Sequence, residues 1–164
     1  MKITVVVENF AEDKNVLGEY GLSVLVEDMG HRVLVDTGQG KVLFPNMQSL
    51  EIDPRTIEHL VLSHGHFDHT GGLQKLLLHS ENIPVWAHPE IEIRHTSLKE
   101  GKARFIGCHI NLKGIDFRPI TGVSQVTPNV WALEVPLDHR DTALVNRPEH
   151  LVVPSRGEWE LDPF

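Results

Sequence analysis

The stretch "HLVLSHGHFDHTGGL", from His59 to Leu73, constrains the fold more than any other part of the chain. Its opening run "HLVLS" is short and continuously apolar, the pattern of a strand buried on both faces. His64, His66, Asp68 and His69 follow at once. In an extended segment residues i and i+2 face the same way, so His64 and His66 can grip one ion together. The chain must then turn, and Asp68 and His69 project beside that pair at the mouth of the next helix. Imidazole nitrogen and carboxylate oxygen suit borderline divalent metals, zinc foremost, with iron and manganese also accepting both donors. Such a geometry offers half the ligands for two adjacent ions rather than a cage for one. A two-metal centre can acidify a bridging water and polarise a carbonyl or phosphoryl oxygen. Gly65, Gly71 and Gly72 are expected to allow tight backbone passage and to leave room for a substrate. The bland alternative, solvated loop histidines and a helix-capping Asp, explains less of the pattern.

Histidine is the one compositional outlier, at 11 in 164 residues. A hydrophobic content of 40% and a charged content of 23% are those of a globular chain, long enough for one domain with a real core. A net charge of -8 without a basic run argues against a nucleic-acid partner. The single Cys108 cannot form an internal disulfide and suits a reducing cytoplasm. No stretch approaches membrane-spanning length, and "MKITVVVENF" reads as a strand rather than a signal peptide.

"RVLVDTGQG" is the second informative feature. Asp36 follows an apolar strand, where its carboxylate can accept an imidazole N–H from behind a metal ligand. A turn-forming Asp satisfies Asp-Thr-Gly equally well. Elsewhere, "KITVVVE" predicts a strand, and "GLSVLVEDMGHRVLVDTG" a hairpin turning at Asp28-Met29-Gly30. "KVLFPNMQSL" is expected to be helical, and Asp53 with Pro54 opens another helical segment. Thr70 is expected to cap a helix through "GGLQKLLLHS", with Leu73, Leu76 and Leu77 as its inner stripe. "IPVWAH" predicts a strand, and "PEIEIRHTSLKEG", from Pro to Gly, a helix. "RFIGCHI", "GIDFRPI" and "NVWALEV" read as short strands, and the last segment as loop with a brief "LVV". Strands leading and helices alternating with them later indicate a layered α/β domain.

Together "LVDTG" and "LSHGHFDHTGGL" resemble the metallo-β-lactamase superfamily, whose H-x-H-x-D-H signature follows a strand. More narrowly, "VEN", "GEYGLSVLVE", "VLVDTG" and "WAHPE" look like the branch that contains archaeal dihydropterin–ribofuranosylaminobenzene phosphate synthases and related metal-dependent hydrolases. The likeness is close from Met1 to about Glu90 and thin afterwards. It implies an αββα sandwich of two similar halves, as one domain over 1–164. Residues 1–100 would form a first half carrying the metal motif, and 101–164 a partial, irregular continuation. The resemblance thus implies a C-terminally short chain with an incomplete second half.

By the same resemblance His64 and His66 would bind one ion, and Asp68 and His69 a second. Asp36 would be the buried orienting carboxylate, and Asp68 would also position the attacking water. Family members carry a third His in a Gly-Cys-Ser/Ala-His step and a later ligand. Here "GCH" at Gly107–His109 comes early and lacks the small-residue turn, so His109 is a weak candidate ligand and reads better as a loop or edge-strand His. His79, His88, His95, His139 and His150 are each lone and read as surface or packing residues. "LDHRD", Leu137 to Asp141, reads as a solvated turn, and Arg94, Lys102 and Arg104 as solvated charges.

The function implied is a metal-dependent hydrolase, a metal-bound hydroxide attacking a small, phosphorylated or pterin-like substrate. The alternatives are a synthase-type transferase and a catalytically incompetent first-half product. Ligands that the chain does not supply can come from another subunit, which makes a homo-oligomer part of the expectation.

Overall fold

The computed structural model describes residues 1–80, 82–92, 95–99, 102–109, 112–134, 150–152 and 160–161. Its centre is a six-stranded mixed sheet. Strands β1 (Lys2–Val7), β2 (Ser23–Asp28) and β3 (His31–Val35) form an antiparallel meander. Strands β4 (His59–Val61), β5 (Val85–Ala87) and a third, Phe117–Pro119, then add in parallel beyond β3. The order across the sheet follows the order along the chain.

Register explains where the core forms. Leu25 lies opposite Leu34, Leu34 opposite Leu60, and Leu60 opposite Val85. These four residues make one fully buried row across one face. Onto the same core pack Leu43 and Met47 of α1 (Leu43–Ser49), and Leu73 and Leu76 of a later helix, Leu73–His79. Leu77, the third member of the expected stripe, is only partly buried beside them. Four such aliphatic side chains removed from water contribute roughly 6–12 kcal/mol of hydrophobic driving force.

The expectation that "HLVLS" is buried on both faces is corrected. Leu60 and Leu62 are sealed, whereas His59 and Val61 are only half-buried. Alternation along the pleat turns 60 and 62 to the row described above and 59 and 61 away from it.

The helix entered by the motif is also broken differently from the expectation. A one-turn helix α2 (Phe67–Thr70) precedes α3 (Leu73–His79), whose cap position is Gly72. Thr70 does not cap α3. Its hydroxyl donates back to the His66 carbonyl at 2.9 Å, a bond that closes α2 on itself. Asp53, by contrast, accepts from the Arg55 N–H and opens a 3-10 turn, Pro54–Thr56.

The remaining described strands form two smaller sheets. The segment expected as a helix from Pro89 instead enters β6 (His95–Lys99), paired antiparallel with β7 (Lys102–Phe105). Lys99 and Lys102 are Cα partners in that pairing. Phe117–Pro119 is β8, followed by a hairpin of β9 (Val123–Thr127) and β10 (Val130–Leu133). β9 has no counterpart among the strands read from the sequence. β11 (His150–Val152) joins β6, and β12 (Glu160–Leu161) joins β11. Among the described residues no helix is long and apolar enough to cross a membrane. "LDHRD", with His139, lies outside the described residues, as does Arg94.

Candidate metal centre

Parallel strands that share a direction bring their C-terminal ends to one edge, and the candidate residues collect there. Asp36 directly follows β3, and His64 lies three residues beyond the end of β4. The imidazoles of His64 and His66 meet edge-on with centroids 4.5 Å apart, and those of His64 and His69 lie 4.1 Å apart. The His66 and Asp68 side chains are nearly buried, each residue 7% exposed.

Asp36 organises this cluster from beneath. It is 1% exposed and adopts φ +58, a left-handed conformation that Asp tolerates better than most residues. One carboxylate oxygen accepts from the Ser63 N–H at 2.8 Å, and the other from the Ser63 hydroxyl. That second oxygen also pairs at 2.8 Å with His69 Nδ1. The neighbouring Thr37 holds the other side of the motif, its N–H and hydroxyl both donating to the His69 carbonyl.

Two close approaches fix the motif against its surroundings. A Cβ at Gly21, where φ is +128, would lie 2.0 Å from the Asp68 carbonyl oxygen, so the β1–β2 loop must present glycine there. A Cβ at Gly72 would lie 2.6 Å from the Thr37 carbonyl oxygen. Backbone from the β3 exit therefore fills the space around Gly72, which corrects the expectation that this glycine opens room for a substrate. On another side, the Phe67 N–H donates to the Ile106 carbonyl and His66 bridges Gly107. Ser63, Thr37 and Gly21 were not singled out by sequence reasoning. Of the three, only Thr37 carries a signal, by its place in Asp-Thr-Gly.

The Asp36 carboxylate fixes which nitrogen of His69 faces outward and also biases the ring toward holding a proton. Burial is the largest single influence on this imidazole and lowers its pKa; the bond to Asp36 and the charges of Asp36 and Asp68 together outweigh it. The net direction is upward. With Nδ1–H directed at Asp36, Nε2 is left to act as a donor atom. It lies 3.7 Å from Asp68 Oδ2, too long for a hydrogen bond. Two ligand atoms on one tetrahedral zinc stand about 3.4 Å apart. The donor chemistry and this spacing fit a divalent ion between Asp68 and His69. Among the described residues, no group of three or more His, Cys, Asp or Glu side chains is arranged to hold a metal ion by itself.

Several of the other histidines have contacts of their own. His109 is exposed and rests edge-on against Phe105, with centroids 4.7 Å apart. His88 pairs with Glu134 at 3.4 Å and lies near Glu90. His79 packs on Phe44. His95 and His150 lie on β6 and β11. Arg104 lies over the Phe67 ring at 5.7 Å.

A family model described as the metallo-beta-lactamase superfamily matches residues 16–158. The chain belongs to that superfamily. Over 80 residues it is 42% identical to 7,8-dihydropterin-6-methyl-4-(beta-D-ribofuranosyl)-aminobenzene-5'-phosphate synthase of Methanocaldococcus jannaschii, covering 44% of this chain and 27% of that protein. Over 90 residues it is 31% identical to a hydroxyacylglutathione hydrolase of Idiomarina loihiensis, covering 54% of this chain and 34% of that one. The chain thus matches about a third or less of the length of these relatives. A metallo-beta-lactamase of Cronobacter sakazakii superposes with a TM-score of 0.51 at 17% identity, over 84% of this chain and 50% of that chain. At that identity the likeness is one of fold. The layered α/β domain expected from the sequence is therefore the superfamily fold, here with a mixed central sheet.

Proposed function

We propose that the chain is a metal-dependent hydrolase of a small-molecule substrate. Divalent ions, zinc foremost, would sit with His64 and His66 at one position and Asp68 and His69 at the other. The observation that carries this reading is the buried Asp36 carboxylate bonded to His69 Nδ1, which turns Nε2 toward Asp68. Bound divalent ions there supply Lewis-acid polarisation of a carbonyl or phosphoryl oxygen and lower the pKa of a water. Asp68 accepts a hydrogen bond from the attacking water and holds its approach. Asp36 stays behind the ligands and keeps their rings in place. Two donors per ion leave positions for water, for substrate and, in a homo-oligomer, for a neighbouring copy.

Transfer of the synthase type is the second reading, supported by the match to the Methanocaldococcus jannaschii synthase. Both readings use the same donors and divide only at the acceptor, water or a second substrate. The single Cys108 fits a reducing cytoplasm, and the net charge of -8 without a basic run fits a small-molecule substrate better than nucleic acid.

Metal content per chain after native purification tests the proposal, together with oligomeric mass and hydrolysis of thioester, lactone and phosphodiester probes. About two ions per chain are expected, with His64→Ala losing one and Asp68→Ala lowering kcat by about 10²–10⁴. Metal well below one per chain, unchanged by His64→Ala, would end this reading.

A further inference from the structure

Asp36 reaches His69 directly, but it reaches His64 only through Ser63. The Ser63 hydroxyl lies 2.6 Å from Asp36 Oδ2 and 2.9 Å from His64 Nδ1. A carboxylate only accepts, so the hydroxyl proton must point to Asp36. If that proton pointed to His64 instead, two oxygen lone pairs would face each other at 2.6 Å. The hydroxyl's remaining capacity is therefore to accept, and His64 Nδ1 must carry the proton it accepts. The lone pair of His64 then resides on Nε2, the same tautomer that Asp36 imposes on His69.

We propose that Ser63 is a positioning residue that fixes the tautomer and orientation of His64 by relaying the acceptor capacity of Asp36. One buried carboxylate thereby sets two imidazoles: His69 by direct contact and His64 through a hydroxyl. The consequence for metal binding rests on the metal-centre reading above, because it assigns His64 Nε2 to an ion. The relay itself is a property of the protein alone.

The side chain is small and Ser63 is exposed, so its removal opens no buried cavity. The Ser63 N–H, which donates to the other oxygen of Asp36, survives substitution by any residue except proline. Ser63→Ala therefore deletes the relay while leaving one main-chain bond to Asp36. Ser63→Thr keeps the hydroxyl and serves as the rescue variant.

The test is nitrogen-15 NMR of the imidazole rings in full-length protein stripped by chelator, followed by zinc titration of the same samples. The wild type should show both His64 and His69 in the Nδ1–H form. In Ser63→Ala, His64 should move toward the Nε2–H form or a mixture while His69 stays unchanged, and Ser63→Thr should restore His64. Zinc affinity should fall about tenfold or more in Ser63→Ala and stay within about threefold of wild type in Ser63→Thr. An unchanged His64 tautomer in Ser63→Ala would overturn the proposal. So would an equal shift of His69, since Ser63 would then brace Asp36 rather than orient His64. Failure of the wild type to bind zinc would sink the metal-centre reading, while the shift of His64 still reports on the relay.

Discussion

The chain from Met1 to Ile91 and the hairpins that follow it are held by different means. Among the described residues, the main core cluster takes its buried members from residues 6 to 91 and Leu112, while Ile106, Ile120 and Val126 are buried apart from it. In the β9–β10 hairpin, Val126 and Thr127 are buried while Val123, Trp131 and Leu133 lie more than half exposed. The first region is built from a mixed sheet and helices that share one apolar row. The second adds a four-stranded sheet and the two-stranded β9–β10 hairpin, the latter with much of its apolar surface exposed. Chemistry follows the difference, because holding several side chains within a fraction of an ångström requires a packed support, and the candidate centre lies wholly at the edge of the first region.

The largest expected effect tests that support where core and centre meet. Asp36→Ala should destabilise the fold by about 3–5 kcal/mol, since it strands the Ser63 N–H and the His69 ring and leaves alanine at φ +58. Chemical denaturation of the two proteins measures it. A loss below about 1 kcal/mol would mean that Asp36 is not part of the structural support at all.

The next contrast sets one region directly against the other. Leu34→Ala removes a fully buried member of the row and should cost about 3 kcal/mol. Leu133→Ala, on a side chain 65% exposed, should cost less than about 0.5 kcal/mol. Equal shifts in denaturation midpoint would break the comparison.

Glycine offers a third contrast. Gly21→Ala forces a Cβ into the Asp68 backbone at an unfavourable φ and should cost about 2–3 kcal/mol, displacing the His64–His69 segment with it. Gly122→Ala has φ +70 but open space, so about 1 kcal/mol of conformational cost is expected. Thermal unfolding checks both, and comparable midpoints would show that the contact with Asp68 is slack.

The legibility of the chain divides along the same line. The strand before the motif, the β2–β3 hairpin and the α3 stripe each follow from local pattern, because burial on one face imposes its period on the sequence. Asp36 was readable as either a turn former or an acceptor, and it does both. Ser63 was not readable: an exposed serine carries no periodic or compositional signal, and its use depends on two residues brought together by the β3–β4 pairing. Past Ile91 the hairpins bury little, so no period is imposed strongly enough to choose between helix and strand. The Pro89-to-Gly101 pattern therefore suggests a helix where β6 lies, and β9 has no sequence signal. A lone histidine carries no spacing signal, and of those described His79 has a ring contact with Phe44.

The smallest expected effect is one of pH, and it again belongs to the first region. His59 opens β4, and its Nδ1 accepts a hydrogen bond from Trp86 Nε1 at 3.3 Å. Burial is the dominant influence and lowers the His59 pKa from 6.5; Glu58 pulls it up and His31 pushes it down. In the unfolded chain this imidazole takes up a proton near pH 6.5, whereas in the folded chain it resists doing so. Its contribution is therefore fully present above 6.5 and is lost as the pH falls toward the depressed folded value. Protonation also removes the acceptor that Trp86 uses. His59→Gln cannot titrate, so the stability difference between wild type and variant should shrink or reverse as the pH is lowered from 8 to 5. Denaturation midpoints of the pair across that range decide it, and parallel curves would show that His59 is solvated in the folded protein.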